Sequence, residues 1–205
     1  IQDASNKSSA ATSVKWYNIA TDTEQEAKDV TFNTLGFTGS ADWTSQSSGV
    51  STYLLDITYS DPLGLLVAVG GSGTILTSAN GTTWTSQSSG VSTNLWGITY
   101  SKSLGLFVAV GWSGVILTSP DGTTWTSQTS GVRSAFYGIT YFESLSLFVV
   151  VGDSGKILTS TNGTTWASQT SGVSAELRGI TYSDTLGLFV AVGTGGTILT
   201  SSNGT

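Results

Sequence analysis

The sequence predicts an all-β fold, a β-propeller of four 41-residue blades with four strands each, and three observations predict it. The first is periodicity: Trp43, Trp84, Trp125 and Trp166 stand 41 residues apart and close the same recurring segment. A period of this size marks one supersecondary unit that must stack on its neighbours to bury its apolar side. The second is punctuation, because within each unit short β-rich runs alternate with Gly, Pro and Asn turns. The third is a run apolar at both parities, seen at Leu65–Val69, Leu106–Val110, Leu147–Val151 and Leu188–Val192. Such a run suits a strand covered on both faces, as between two stacked blades.

One unit shows the elements in order. Leu54–Tyr59 (LLDITY) is rich in β-formers and ends at the turn DPLG; Leu65–Val69 follows and ends at GGSG. Ile75–Ser78 comes next, and after the Asn80-Gly81 turn the unit closes with Trp84–Gln87. Short strands joined by turns of this kind make a four-stranded antiparallel meander. An open β-solenoid is the rival architecture, but its repeats are shorter and are not four-strand meanders.

The third turn reads Ser78-Ala79-Asn80-Gly81-Thr82-Thr83-Trp84, then SPDGTTW (Ser119–Trp125) and STNGTTW (Ser160–Trp166), a pattern S-x-[N/D]-G-x-T-W. Asn-Gly and Asp-Gly tolerate the positive φ of a tight hairpin, and the hydroxyls can tie its backbone. The pattern resembles the Asp-box, or bacterial neuraminidase repeat, of sialidases and of many non-enzymatic propellers, among them photosystem II assembly-factor-like proteins. The resemblance covers residues 43–205 and implies a propeller hairpin whose role is structural; it does not imply an activity. Asn in place of Asp in two of the three complete copies, and in SSNGT at Ser201–Thr205, is a mild departure.

Residues 43–205 are thus read as the propeller and 1–42 as an N-terminal flexible or accessory segment. Trp43–Gln46 looks like an outer strand without its own blade, and the expectation is that it completes the blade begun by Leu177–Thr200, a closure that leaves no open edge. The competing reading makes 14–42 a divergent fifth blade, with Ser13–Ala20 and Asp29–Phe37 as strands and Asp22–Lys28 as a polar turn or short helix. Gln25 then falls where the repeat places Leu66, a mismatch at the core. Residues 1–12 are small and polar and are expected to be flexible.

Composition excludes much chemistry. The 205 residues contain no Cys and no His, so disulfides, thiolate metal sites and histidine general bases are absent. Thirteen acids against seven bases give a net charge of −6, without the basic stripe that nucleic acid requires. No apolar run approaches the ~20 residues of a membrane-spanning helix. No cofactor or metal is expected, since no loop carries a calcium-binding pattern of acids. The absence of Met at position 1 is expected of a processed leader or of part of a longer chain. Low charge, many Ser, Thr and Gly residues and the lack of thiols fit an extracellular, cell-surface or particle-associated protein.

Where the repeats agree, as at Ile57, Tyr59, Gly70 and their counterparts, packing and turn geometry explain the residue. They differ in two loops: the lead-in to the first strand (STYLLD, STNLWG, SAFYG, SAELRG) and the link between strands two and three (GGSG, GWSG, GDSG, GTGG). In a meander both lie on one face of the ring. That face gathers Trp96, Trp112, Tyr137, Tyr53, Arg178, Asp153 and Glu176, aromatics beside a few polar groups, as stacking on sugar or a protein hot spot requires. The alternative is that Trp96 and Trp112 fill gaps between blades. Asp61, Lys102, Glu143 and Asp184, on the opposite face, read as a solvated rim.

The expected role is a non-catalytic binding or display module taking a glycan or protein partner on the variable face. The alternative is a purely structural or assembly subunit, with self-association into a larger assembly. Sialidases, as the resemblance implies, need three arginines on the substrate carboxylate, and this chain has only Arg133 and Arg178. Other glycosidases need two carboxylates about 5–10 Å apart; Asp153 and Glu176 share the variable face, but their spacing marks no pair. An enzyme is therefore not expected.

Overall fold

The computed structural model describes residues 43–204 together with two strands, β1 (Lys15–Asn18) and β2 (Thr23–Glu26). The chain divides into two compact units, 1–44 and 45–205. In the first, β1 and β2 form an antiparallel hairpin with Lys15 opposite Glu26 and Trp16 opposite Gln25. The polar turn or short helix expected at Asp22–Lys28 is corrected there. Pairing satisfies the backbone of TEQE as a strand, although Glu and Gln have little β preference of their own. The strand expected at Asp29–Phe37 and the flexibility expected of residues 1–12 lie outside the described residues.

The second unit is a β-propeller with four blades. Blade 1 is β3 (Leu54–Ser60), β4 (Leu65–Gly70), β5 (Ile75–Ser78) and β6 (Thr85–Gln87), a meander in chain order. Blade 2 repeats it as β7 (Leu95–Ser101), β8 (Leu106–Gly111), β9 (Ile116–Ser119) and β10 (Thr126–Gln128). Blade 3 is β11 (Phe136–Phe142), β12 (Leu147–Gly152), β13 (Ile157–Ser160) and β14 (Ala167–Gln169). Blade 4 has three strands among the described residues, β15 (Leu177–Ser183), β16 (Leu188–Gly193) and β17 (Ile198–Ser201).

The closing strand expected at Trp43–Gln46 does not form: residues 43–53 contain no strand, and Trp43 is fully exposed. The physical reason is that the array is open: Ile57 of blade 1 is 52% and Ile198 of blade 4 68% exposed, so the fourth blade does not come beside the first blade, into which residues 43–53 lead.

That hairpin is built from side-chain bonds. Asp121 Oδ1 accepts the Thr123 and Thr124 amides at 2.8 and 2.7 Å, Ser119 Oγ accepts the Gly122 amide at 2.8 Å, and Trp125 Nε1 donates to the Gly122 carbonyl at 3.0 Å. Asn80 and Asn162 accept the same two amides with one amide oxygen. The outer strand is then tied to the third by Gln87 Nε2 donating to Thr77 Oγ1 at 2.9 Å, repeated at Gln128 and Gln169.

The two backbone N–H bonds, from Thr124 and then Thr123, hold the Asp121 carboxyl below the usual carboxylate range. A depressed folded-state value stabilises the fold above the unfolded value, about 3.9, and that stabilisation is lost as pH falls through the folded value. Asp121→Asn keeps the acceptor and removes the charge. Its melting temperature is therefore expected to fall less than the wild type's on acidification; parallel curves in thermal melts across the acid range would contradict this.

Between the second and third strands each GxSG forms one turn of 3-10 helix, with the serine in the left-handed region: Ser72 at φ 55°, Ser113 at 62°, Ser154 at 54°. The glycine that follows is required twice over. Gly114 has φ 80°, and a Cβ there would overlap the Val132 carbonyl oxygen.

Blades stack through three apolar clusters. Val67, Val69 and Ile75 of blade 1 meet Leu95, Ile98 and Phe107 of blade 2. Val108, Val110 and Ile116 of blade 2 meet Phe136, Ile139 and Phe148 of blade 3, and Val151 and Ile157 of blade 3 meet Leu177, Ile180 and Ala191 of blade 4. The acids read as a solvated rim also join blades: Glu143 accepts the Lys102 amide of the preceding blade, and Ser144 Oγ donates to Asp184 of the following one.

Candidate functional site

The first strand of every blade skips one residue in its pairing. Leu54 faces Gly70 and Asp56 faces Val69, so Leu55 is a bulge; Trp96, Tyr137 and Arg178 hold the same place in blades 2, 3 and 4. A bulge releases its residue from the ladder and re-aims the side chain. The fold thus sets Leu55, Trp96, Tyr137 and Arg178 at one register on four successive blades. Within this otherwise regular strand the position carries four different side chains.

Three of the four are in contact. The Trp96 and Tyr137 rings meet edge to face at 5.7 Å, and the Arg178 guanidinium lies over the Tyr137 ring at 4.9 Å. Both geometries are attractive through the ring quadrupole. Arg178 also donates to Glu176 Oε2 at 2.6 Å. Burial, with the Glu176 and then the Asp153 carboxylate nearby, pushes the Tyr137 hydroxyl up against the opposing pull of Arg178. Trp96 Nε1, like Thr93 Oγ1 three residues before it, is buried without a hydrogen-bond partner, and such unmet polar groups are uncommon.

The two variable loops lie together in every blade, as the meander requires. Gly71 N donates to Tyr53 O, Trp112 N to Asn94 O, Asp153 N to Ala135 O and Thr194 N to Glu176 O, all at 2.8–2.9 Å. Of the seven residues singled out in the sequence, Trp96, Tyr137, Arg178 and Glu176 form one contiguous cluster, and Asp153 acts on Tyr137 electrostatically. Trp112 opens its 3-10 turn and is 53% exposed. Tyr53 covers Gly71 and receives a long 3.5 Å bond from Asn94 Nδ2, while Asn94 Oδ1 accepts the Ser72 amide at 3.1 Å.

Two residues escaped the sequence reading. Leu55 completes the bulge row, and the signal was present: the column Leu55, Trp96, Tyr137, Arg178 varies inside a strand that is otherwise repeated. Asp56 stands where the other blades have Gly97, Gly138 and Gly179, and it bridges blades by accepting the Ile57 and Ile98 amides at 2.8 Å each. Burial pushes its carboxyl up against those two bonds. Among the described residues no group of three or more acids gathers as a metal site, and no helix is long and apolar enough to cross a membrane.

No family model and no curated protein matches the chain. Solved structures do, and they are β-propellers. The structure "YCF48 bound to D1 peptide" superposes with a TM-score of 0.59 at 17% identity, over 75% of this chain and 51% of that one. A nidogen/laminin complex matches with a TM-score of 0.55 at 16% identity, over 69% of this chain and 57% of that one. The Cps50 (Swd1) β-propeller domain of Myceliophteria thermophila gives 0.51 at 12% identity, over 71% and 50%. The likeness to YCF48 accords with the second resemblance read from the repeats. The chain spans about half the length of these structures.

Proposed function

We propose that this propeller is a non-catalytic module that binds an extended segment of another protein across the bulge row. The observation that carries the reading is the continuous surface of Trp96, Tyr137 and Arg178 on three successive blades. Trp, Tyr and Arg are the side chains that dominate protein-binding hot spots, and they offer large contact area at low entropic cost. A propeller with a peptide bound, YCF48 with the D1 peptide, supports the choice of ligand class. The non-catalytic reading is supported by a sequence without His or Cys and by a site whose carboxylates serve Arg178 and Tyr137.

The test is a peptide-display selection on the intact chain, followed by affinity measurement on variants. Trp96→Ala and Arg178→Ala are each expected to weaken a selected peptide by about 30-fold or more, the scale of a hot-spot truncation. Selected peptides that bind both variants as tightly as wild type would sink the reading. Exposure of the Trp112 indole on the same rim favours a second reading, stacking on a sugar ring; a glycan array on which Trp112→Ala alone abolishes binding would favour it.

A further inference from the structure

Each interface between blades contains one isoleucine pair: Ile75 with Ile98, Ile116 with Ile139, and Ile157 with Ile180. The repeat supplies a fourth pair, Ile198 with Ile57, and the structure leaves it apart. Ile98 and Ile75 are 4% and 1% exposed, whereas Ile57 is 52% and Ile198 68% exposed. The surroundings agree. Leu54 and Tyr59 are exposed beside Ile57, and Val192 beside Ile198, although the counterparts Leu95 and Val69 are fully buried. The array therefore ends in two unlike apolar faces, the two halves of an interface the chain already makes three times.

We propose that a second copy of this chain covers both faces, each copy's fourth blade packing on the other's first, so that two chains close one ring of eight blades. Two identical head-to-tail contacts related by a twofold axis close a ring, and eight blades lie within the range that propellers adopt. The comparisons accord with a ring larger than four blades: 69–75% of this chain superposes on 50–57% of each solved chain. Polar groups are matched too. Ser144 donates to Asp184 of the next blade, and by the 41-residue repeat Thr185 of one copy would stand in the same relation to Asp61 of the other.

The register of the chain adds a further contact. Trp43 precedes Leu54 by the 11 residues that separate Trp84 from Leu95, so the second copy's Trp43 would arrive where the first copy's fourth blade has no outer strand among the described residues. An apolar cleft of about 100 Å³ lies there, lined by Phe189, Ile180, Leu199 and Val149. In blades 2 and 3 the corresponding phenylalanines, Phe107 and Phe148, are packed by Trp125 and Trp166 at 6.4 and 6.1 Å.

Light scattering of the full chain over a dilution series tests the proposal. The expected mass is about twice the 21.1 kDa of one chain. Ile57→Lys alone and Ile198→Glu alone are expected to give monomers with the wild-type circular dichroism spectrum, and the double variant Ile57→Lys/Ile198→Glu to recover the dimer, because each interface then joins opposite charges. A wild-type monomer throughout the series, open-ended higher oligomers, or single variants that dimerise like wild type would each overturn it. Should the single variants fail to fold, crosslinking the chain through cysteines introduced at Ile57 and Ile198 decides, since only the two-chain ring yields a doubly linked dimer.

Discussion

Phe148→Ala is expected to destabilise the protein by about 3–5 kcal/mol, the range for removing a fully buried phenylalanine. Phe148 has no solvent exposure, lies 4.4 Å from the Tyr141 ring and 6.1 Å from the Trp166 ring, and belongs to the cluster joining blades 2 and 3. The hairpin glycine packs closely here: a methyl added at Gly163 would lie 2.8 Å from Leu106 Cδ2 and 3.5 Å from Phe148 Cε2. The repeat supplies its own control. Blade 1 carries Leu66 at this position, so Phe148→Leu should cost much less, about 1–1.5 kcal/mol. Urea unfolding of the three proteins checks the order; a Phe148→Ala midpoint equal to that of Phe148→Leu would show that the site relaxes. Because stability in a stacked array is a sum of blade and interface terms, the alanine variant should also broaden the transition as the two halves uncouple.

Gly152→Ala is expected to cost more than about 3 kcal/mol, beyond ordinary overpacking. Gly152 is extended, so backbone strain is not the cause; close approach is. A Cβ there would overlap the Ala135 carbonyl oxygen and press on Phe136 Cα at 3.1 Å. Both are backbone atoms, so no rotamer change relieves the overlap. That same carbonyl accepts the Asp153 amide at 2.8 Å and immediately precedes the bulge that presents Tyr137. Weaker peptide binding should accompany the lost stability. Gly131→Ala is the comparison: its φ of 75° makes alanine unfavourable, but nothing lies within 4 Å of the added methyl, so about 1–2 kcal/mol is expected. Equal thermal stability of the two variants would refute the steric account.

Much of the blade was legible because its determinants are local. Ile75–Ser78 lies where the apolar run and flanking turns put it, and Leu54–Ser60 and Leu65–Gly70 extend the expected strands by one residue each. Trp84 falls outside β6 because its indole is spent on the hairpin, bonded to the Gly81 carbonyl at 3.2 Å. What escaped depends on partners distant in sequence. The bulge at Leu55 is a property of pairing with β4, and alternation within one strand carries no sign of it. Asp56 carries no signal of its role in its own strand, because its partner, the Ile98 amide, lies in the next blade. Closure by Trp43–Gln46 rests on tryptophan spacing, yet it needs the first and fourth blades to meet, and the exposure of Ile57 and Ile198 shows that within one chain they do not.

The bulge row has a consequence for how such a protein changes over time. In each blade the strands and turns are committed to holding the scaffold, and most substitutions there exact a loss of fold. Leu55, Trp96, Tyr137 and Arg178 are released from the ladder by the same irregularity. On the proposed reading of this row as the binding surface, mutation rewrites what the molecule recognises one letter per blade, and duplication of a blade adds a letter. Drift in recognition is thereby uncoupled from drift in stability, and a repeat that copies itself faithfully elsewhere can still acquire a new partner.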